Sequence, residues 1–130
     1  MSEPRFLSLD EVLEIQAYQV EQHGGKHGVL NRAILESAVA QPQSGIGDDY
    51  FHAYPFGMAA AYLFHLNKGH AFHDGNKRVA THAALVFLRL NGYRLTATED
   101  ALYDLSMAVA RGEVDKPAIT AFLEAHAVRA

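Results

Sequence analysis

The chain has no cysteine among its 130 residues. That excludes disulfides, thiolate chemistry and any cysteine-based zinc site, and it fits a reducing, cytoplasmic setting. No apolar run reaches membrane-spanning length, and the start, Met-Ser-Glu-Pro-Arg-Phe, lacks the apolar core of a signal peptide. There is also no excess of basic charge: 11 Lys and Arg face 15 Asp and Glu, a formal net charge of −4. A general nucleic-acid binder normally carries a basic face, so direct nucleic-acid binding is not expected. Repeats, linkers and low-complexity stretches are missing as well.

What is present suits one domain with a core: 49% of the residues are hydrophobic. Ser8-Leu-Asp-Glu11 reads as a capping box that opens a helix to about Gln22. Its apolar positions are Val12, Ile15 and Tyr18, flanked by Leu13 and Val20, and Gly24-Gly25 stops it. A second helix is expected from about Asn31 to Ala40, with Ile34, Leu35, Ala38 and Val39 inward and Pro42 closing it. Gln43 to Tyr54 shows no clean period and reads as a surface loop with aromatics packed back. Pro55 in the first turn opens a third helix, apolar almost all round from Met58 to Leu66 and ended by Lys68-Gly69.

A fourth helix is expected from Asn76 to Leu90, about 22 Å long at 1.5 Å per residue. It should pack antiparallel to the third. Asn91-Gly92 ends it, and Arg94-Leu95-Thr96 reads as a short extended piece. Thr98 with Glu99 and Asp100 starts a fifth helix that Gly112 breaks, and Asp115-Lys-Pro117 starts the last, with Ile119, Phe122, Leu123 and Ala127 inward. The expected fold is all-α, about six helices in a compact bundle with no sheet of consequence.

Between the two most apolar helices lies His70-Ala-Phe-His-Asp-Gly-Asn-Lys-Arg78, a polar run that a fold has no need of at its centre. Gly75 can take a positive φ and lets a ligand approach the backbone. Asn76, Lys77 and Arg78 would form the first turn of the next helix, whose free N–H groups and dipole make an anion site. Lys77 and Arg78 add charge, and arginine binds phosphate oxygens in a bidentate fork. Asp74 is the one carboxylate in the run and suits Mg²⁺ beside phosphates, although an Asp before a helix is also a natural N-cap. His70 is placed as a proton acceptor, since histidine exchanges its proton near neutral pH. Phe72 would pin the loop to the core. His73 reads as an exposed loop residue, and a metal pair of His70 and His73 would lack a third ligand at a familiar spacing. His82, one turn beyond Arg78, could face the site or be satisfied within its own helix.

The run His70-Ala-Phe72-x-Asp74-Gly75-Asn76-Lys77-Arg78 resembles the signature of the Fic/Doc superfamily, His-Pro-Phe-x-Asp/Glu-Gly-Asn-Gly/Lys-Arg. Lys77, the chain length, Gly24-Gly25, Leu35-Glu36-Ser37-Ala38-Val39-Ala40-Gln41-Pro42-Gln43 and Leu85-Val86-Phe87-Leu88-Arg89-Leu90-Asn91-Gly92 resemble its death-on-curing (Doc) branch. The resemblance implies a toxin that moves the γ-phosphate of ATP to a threonine or serine of a protein, translation elongation factor Tu, and arrests translation. It implies His70 as the base, Asp74 on Mg²⁺, and Gly75, Asn76, Lys77 and Arg78 as the phosphate cradle. It also implies a prevents-host-death-type antitoxin whose C-terminal helix lies in a groove of the toxin, and a substrate flap over Ile46, Asp49, Tyr50 and His52.

Three departures bear on the chemistry. Ala71 replaces the usual Pro. Thr81 stands where members that transfer AMP carry a second arginine. Lys77 replaces their second motif glycine, and its long side chain should crowd a cradle built around bare backbone while adding charge of its own. That favours phosphoryl over AMP transfer. A catalytically silent binding partner is the third reading, against which the intact His70, Asp74, Asn76 and Arg78 speak. Thr120-Ala-Phe-Leu-Glu124-Ala125 comes near the autoinhibitory segment of Fic proteins but ends in Ala.

Overall fold

The computed structural model describes residues 3–130. Among these residues six α-helices follow one another: α1 (Leu9–His23), α2 (Arg32–Ala40), α3 (Phe56–Gly69), α4 (Asn76–Leu90), α5 (Glu99–Ala110) and α6 (Lys116–Ala125). Two short antiparallel pairs complete them, a hairpin of β1 (Gly45–Ile46) with β2 (Asp49–Tyr50) and a pair of β3 (Tyr93–Leu95) with β4 (Ala127–Arg129). The all-α expectation therefore holds, with strands too short to organise anything. No helix among the described residues is long and apolar enough to cross a membrane.

The helix starts follow from their caps. Ser8 accepts from Glu11 N–H while the Glu11 carboxylate accepts from Ser8 N–H, the full capping box. Asn31, Thr98 and Asp115 each accept a backbone N–H from three residues on. Pro55 is the N-cap of α3 rather than part of its first turn.

At the centre α3 lies against α4. Ala59, Ala60 and Ala61 of α3 are fully buried, as are Val79, Ala80, Ala83 and Phe87 of α4. Small residues on both facing surfaces let two helices approach closely. Phe56 at the start of α3 meets Tyr93 just beyond the end of α4, with ring centroids 5.2 Å apart. The two helices are thus antiparallel, and the loop that joins them at the other end is His70–Gly75.

The segment before α1 is tied to this pair. Tyr62 has no exposed surface, and its hydroxyl accepts from Leu7 N–H at 2.8 Å. Burial pushes the Tyr62 phenol up to about 12. Asn91, the C-cap of α4, accepts from Arg5 N–H at 2.9 Å and donates to Arg5 C=O at 3.1 Å and Phe87 C=O at 2.7 Å. Phe6 then stacks on Phe87 at 5.9 Å.

Three expected inward residues are placed otherwise. Tyr18 is 57% exposed, because the buried face of α1 is Val12, Gln16, Gln19 and Val20. Ile34 is 39% exposed, since α2 buries Leu35, Ala38 and Val39. Ala127 lies past the end of α6, in β4, where the chain turns back to pair with Leu95.

Tyr62→Phe should unfold at lower denaturant, by about 1–3 kcal/mol, because it leaves the buried Leu7 N–H without its acceptor. A urea titration with unchanged slope would read it; equal midpoints would show that the phenol is not what holds this segment.

Candidate active site

The joining loop is shaped first by backbone. His70 caps the C-terminus of α3 in the left-handed region, φ 51°, and among the described residues it is the one non-glycine with positive φ. Histidine visits that region more readily than most residues, but holding it there still costs of order 1–3 kcal/mol. Gly75 then takes φ 81° as the N-cap of α4, a conformation in which a side chain would be strained even though open space surrounds it.

Asn76 holds the turn. It is 6% exposed, its Oδ1 accepts from Phe72 N–H at 3.0 Å and its Nδ2 donates to Phe72 C=O at 3.0 Å. Those two partners fix which end of the amide is oxygen, since a reversed amide would face donor to donor and acceptor to acceptor. The second Nδ2 hydrogen therefore points at His70 Nδ1, 3.2 Å away, so that nitrogen is an acceptor and the neutral ring carries its proton on Nε2. The side chain of Asn76 is thus committed to the loop and to His70, and what it can offer an anion is its backbone N–H. Phe72, 2% exposed, sits in the core.

A second segment is strapped along the loop. Lys26 N–H donates to Asp74 Oδ2 at 2.7 Å, and His73 N–H donates to Gly28 C=O at 3.2 Å. Leu30 and Asn31 N–H both donate to Ala71 C=O, at 2.7 and 3.0 Å, and Val29 bridges to Phe72. The buried Gln16 side chain of α1 reaches Asp74 C=O at 3.3 Å and Lys26 C=O at 3.4 Å. At Gly25, φ 111°, a Cβ would come within 3.0 Å of Asp74 Cβ, so the strap can lie this close only with glycine there. Asp74 is accordingly not the N-cap of α4. One carboxylate oxygen holds the strap, and the residue remains exposed.

The first turn of α4 faces outward with its donors unspent. Among the described residues the first N–H of the helix to find a backbone acceptor is that of Val79, on Gly75 C=O at 2.8 Å. The N–H groups of Asn76, Lys77 and Arg78 are left beside the dipole's positive end. Lys77 C=O is fixed from behind by Thr81 Oγ1 at 3.0 Å and Ser106 Oγ at 3.3 Å. Ser106 is itself held by Asn67 Nδ2 at 3.0 Å, which ties the turn to α3 and α5. Neither Lys77 nor Arg78 has a carboxylate within 4.0 Å among the described residues. His82 Nδ1 donates to Arg78 C=O at 2.9 Å and is satisfied within its own helix.

The residues Ile46, Asp49, Tyr50 and His52 are not brought to this loop. Tyr50 packs edge-on against Phe6 at 5.5 Å, and Phe6 lies on Phe87, eleven residues or about 16 Å along α4 from Asn76. Ile46 is 74% exposed. His52 turns to α6, where Lys116 Nζ lies 3.3 Å from its Nε2 and 3.1 Å from Nε2 of His65. Both imidazoles accept from the ammonium and are neutral. Burial, then Lys116, then His52 hold the His65 imidazole down at about 4, and burial and Lys116 lower that of His52.

Comparison with known proteins places the same residues in a family. The Fic/DOC family model matches residues 6–88. "Protein kinase doc" of Escherichia phage P1 is 30% identical over 85% of this chain and 86% of its own length. "Toxin Doc" of Mycolicibacterium smegmatis (strain ATCC 700084 / mc(2)155) is 41% identical over 82% of this chain and 84% of its own.

The His52–Lys116–His65 cluster makes stability pH-dependent with a definite sign. The folded state holds His65 at about 4 against 6.5 when unfolded, so the unfolded chain binds protons first as pH falls. Urea midpoints should therefore decline from pH 7 toward pH 4, and Lys116→Met should flatten that decline. An equal decline in the variant would show that the ammonium does not set it.

Proposed function

The chain belongs to the Fic/DOC family and to its Doc branch, and from that premise we propose that it transfers the γ-phosphate of ATP to a threonine or serine hydroxyl of a protein. The relatives named as a protein kinase and as a toxin support the reaction and its role as the toxin of a toxin–antitoxin pair. Elongation factor Tu is the target in this reading, translation arrest the result, and a prevents-host-death-type antitoxin the partner that restrains it in the cytoplasm. The observation that carries the proposal is Lys77: it occupies the first turn of α4 beside unspent N–H groups, with its own carbonyl pinned by two hydroxyls.

The donor set fits a nucleotide triphosphate. Gly75, the backbone N–H groups of Asn76, Lys77 and Arg78 and the two cationic side chains offer phosphate oxygens donors and charge. Asp74 keeps an oxygen beyond the one that holds Lys26, enough for a magnesium ion that also takes phosphate ligands. Bound there, Mg²⁺ would neutralise the charge that builds up as the phosphoryl group moves.

In the reaction itself the target oxygen forms the new bond to the γ-phosphorus and its proton passes to His70. The bond from phosphorus to the β–γ bridging oxygen breaks, and ADP leaves. His70 Nδ1 is occupied by the Asn76 amide and Nε2 carries the proton, so accepting a proton requires the imidazole to exchange that contact or its tautomer. The ring is exposed enough to turn. The strap Gly24–Asn31, rather than the hairpin at Gly45–Tyr50, borders the loop and is where a target segment would pass.

ATP labelled separately at the γ and α positions, with Mg²⁺ and a bacterial lysate, tests the reaction. Label from γ alone on a band of elongation-factor size is expected. Label from α would make the protein an AMP-transferase, and transfer of neither by folded protein would favour a silent binder. His70→Ala should lose about 10²–10⁴ of the rate with the fold unchanged, the typical contribution of a positioned base. Near-full activity in that variant would remove His70 from the chemistry.

Lys77→Gly addresses the donor orientation. A gain of AMP transfer is expected, and phosphorylation unchanged in rate would end the argument that the side chain crowds the cradle.

A further inference from the structure

The His52–Lys116–His65 cluster lies outside the loop, and phosphoryl transfer does not use it. His65 stands on α3 five residues before His70, about 7.5 Å along the helix, and His52 comes from the connection between β2 and α3. Their Nε2 atoms converge on one point, at 3.1 and 3.3 Å from Lys116 Nζ. Because each accepts from the ammonium, each neutral ring carries its proton on Nδ1 and aims its Nε2 lone pair at the same place. That is the tautomer in which imidazole binds a metal through Nε2. His52 Nδ1 is buried without a partner among the described residues, so the contact at Nε2 is what orients that ring. The ammonium itself is loosely kept. Lys116 is the first residue of α6, half-buried, with the Phe64 ring centroid 5.6 Å away and no carboxylate within 4.0 Å among the described residues. Next to it in sequence, Asp115 caps α6 by accepting from Ala118 N–H, and Glu113 pairs with Arg111. Asp48 and Asp49, before His52, are exposed, and Lys68, one turn along α3 from His65, reaches Ala110 C=O.

We infer that His52 and His65 form a binding site for a divalent transition metal of the zinc and copper type, which takes the place of the Lys116 ammonium between the two Nε2 atoms. The donors decide the class. Imidazole nitrogen suits Zn²⁺, Cu²⁺ or Ni²⁺, whereas Mg²⁺ takes oxygen, so this site does not compete with Asp74 for magnesium. Zinc–nitrogen bonds are about 2.0–2.1 Å long, so each Nε2 closes by about 1 Å once the lysine has swung into solvent. Its flexible four-carbon stem allows that movement. Among the described residues no third His, Asp or Glu joins the pair, so water fills the other positions and the site stays open. Its affinity therefore lies below that of a centre with three or four protein ligands. His65 also lines a groove of about 390 Å³ with Ile34, Ser37 and Lys68, which gives an ion an entry path from solvent. A metal here joins the connection after β2 directly to α3, and the inference does not depend on the proposed reaction.

The test titrates the whole protein, stripped of metal by a chelator and dialysed, with Zn²⁺ at neutral pH in a calorimeter, in the presence of excess Mg²⁺. Saturable binding is expected, weakened at least ten-fold by His52→Gln and by His65→Gln. Lys116→Met removes the competing cation and should tighten it at least ten-fold, with a larger rise in thermal midpoint on adding Zn²⁺ than the unaltered protein shows. His73→Gln, in the motif loop, should bind as the unaltered protein does. Circular dichroism confirms that the variants fold, and the Lys116 variant, altered at a half-buried position, decides the matter should a histidine variant not fold. Zinc bound equally well by both histidine variants would put the ion elsewhere and overturn the inference. So would unchanged affinity in Lys116→Met, loss of binding in His73→Gln, or no binding at millimolar Zn²⁺.

Discussion

The loop depends on one primary amide. Asn76 gives its oxygen to Phe72 N–H and its nitrogen to Phe72 C=O and His70 Nδ1, closing a ring across four residues. Buried polar groups of this kind are costly when half satisfied and specifying when complete. Here completion does three things together. It lets Phe72 enter the core, it starts α4, and it keeps His70 in a left-handed conformation that a free chain would leave. The strain at His70 is therefore sustained by the same contact that chooses its tautomer.

Helix α4 uses that device twice. Asn91 at its far end makes the equivalent two-sided amide contact, there with the backbone of Arg5. Between the asparagines, alanines and Phe87 fill the interface with α3, so the helix behaves as a rod with a fastening at each end. Polar chemistry is concentrated where the rod begins. Its first-turn carbonyl at Lys77 is held by Thr81 and by Ser106, which leaves the N–H groups and the two cationic side chains to face outward. A turn held from behind in this way keeps its donors aligned without having to reorganise around an anion, and electrostatic stabilisation is strongest in that case.

Much of this was legible in the residues. Helix starts are local chemistry, and Ser8, Asn31, Thr98 and Asp115 announce theirs through side chains that cap within three residues. The run His70–Arg78 stood out because charge between two apolar helices has no structural reason to be there. What failed was anything set by a distant neighbour. Tyr18 and Ile34 keep helical spacing yet face solvent, while Gln16 and Gln19 are buried, Gln16 because the loop carbonyls of Lys26 and Asp74 need its amide. Hydropathy cannot rank a glutamine above a tyrosine for burial; only the partner does. Likewise Gly24-Gly25 read as a helix stop, and nothing local said that Gly25 is glycine because Asp74 Cβ lies against it. The stretch Gln43–Tyr54 showed no clean period, and the contact of Tyr50 with Phe6, which places its hairpin, was not legible either.

The two ends of α4 differ in a way that constrains how the molecule can be controlled. The loop end exposes unspent N–H donors, Lys77, Arg78 and an exposed aspartate, whereas the other end exposes arginines over an aliphatic groove. The core between them is close-packed and alanine-rich, and such an interface shifts between discrete arrangements rather than bending. Moving α4 as a whole would therefore mean breaking the Asn91–Arg5 contact that fastens its far end together with the Asn76–Phe72 contacts that fasten its start.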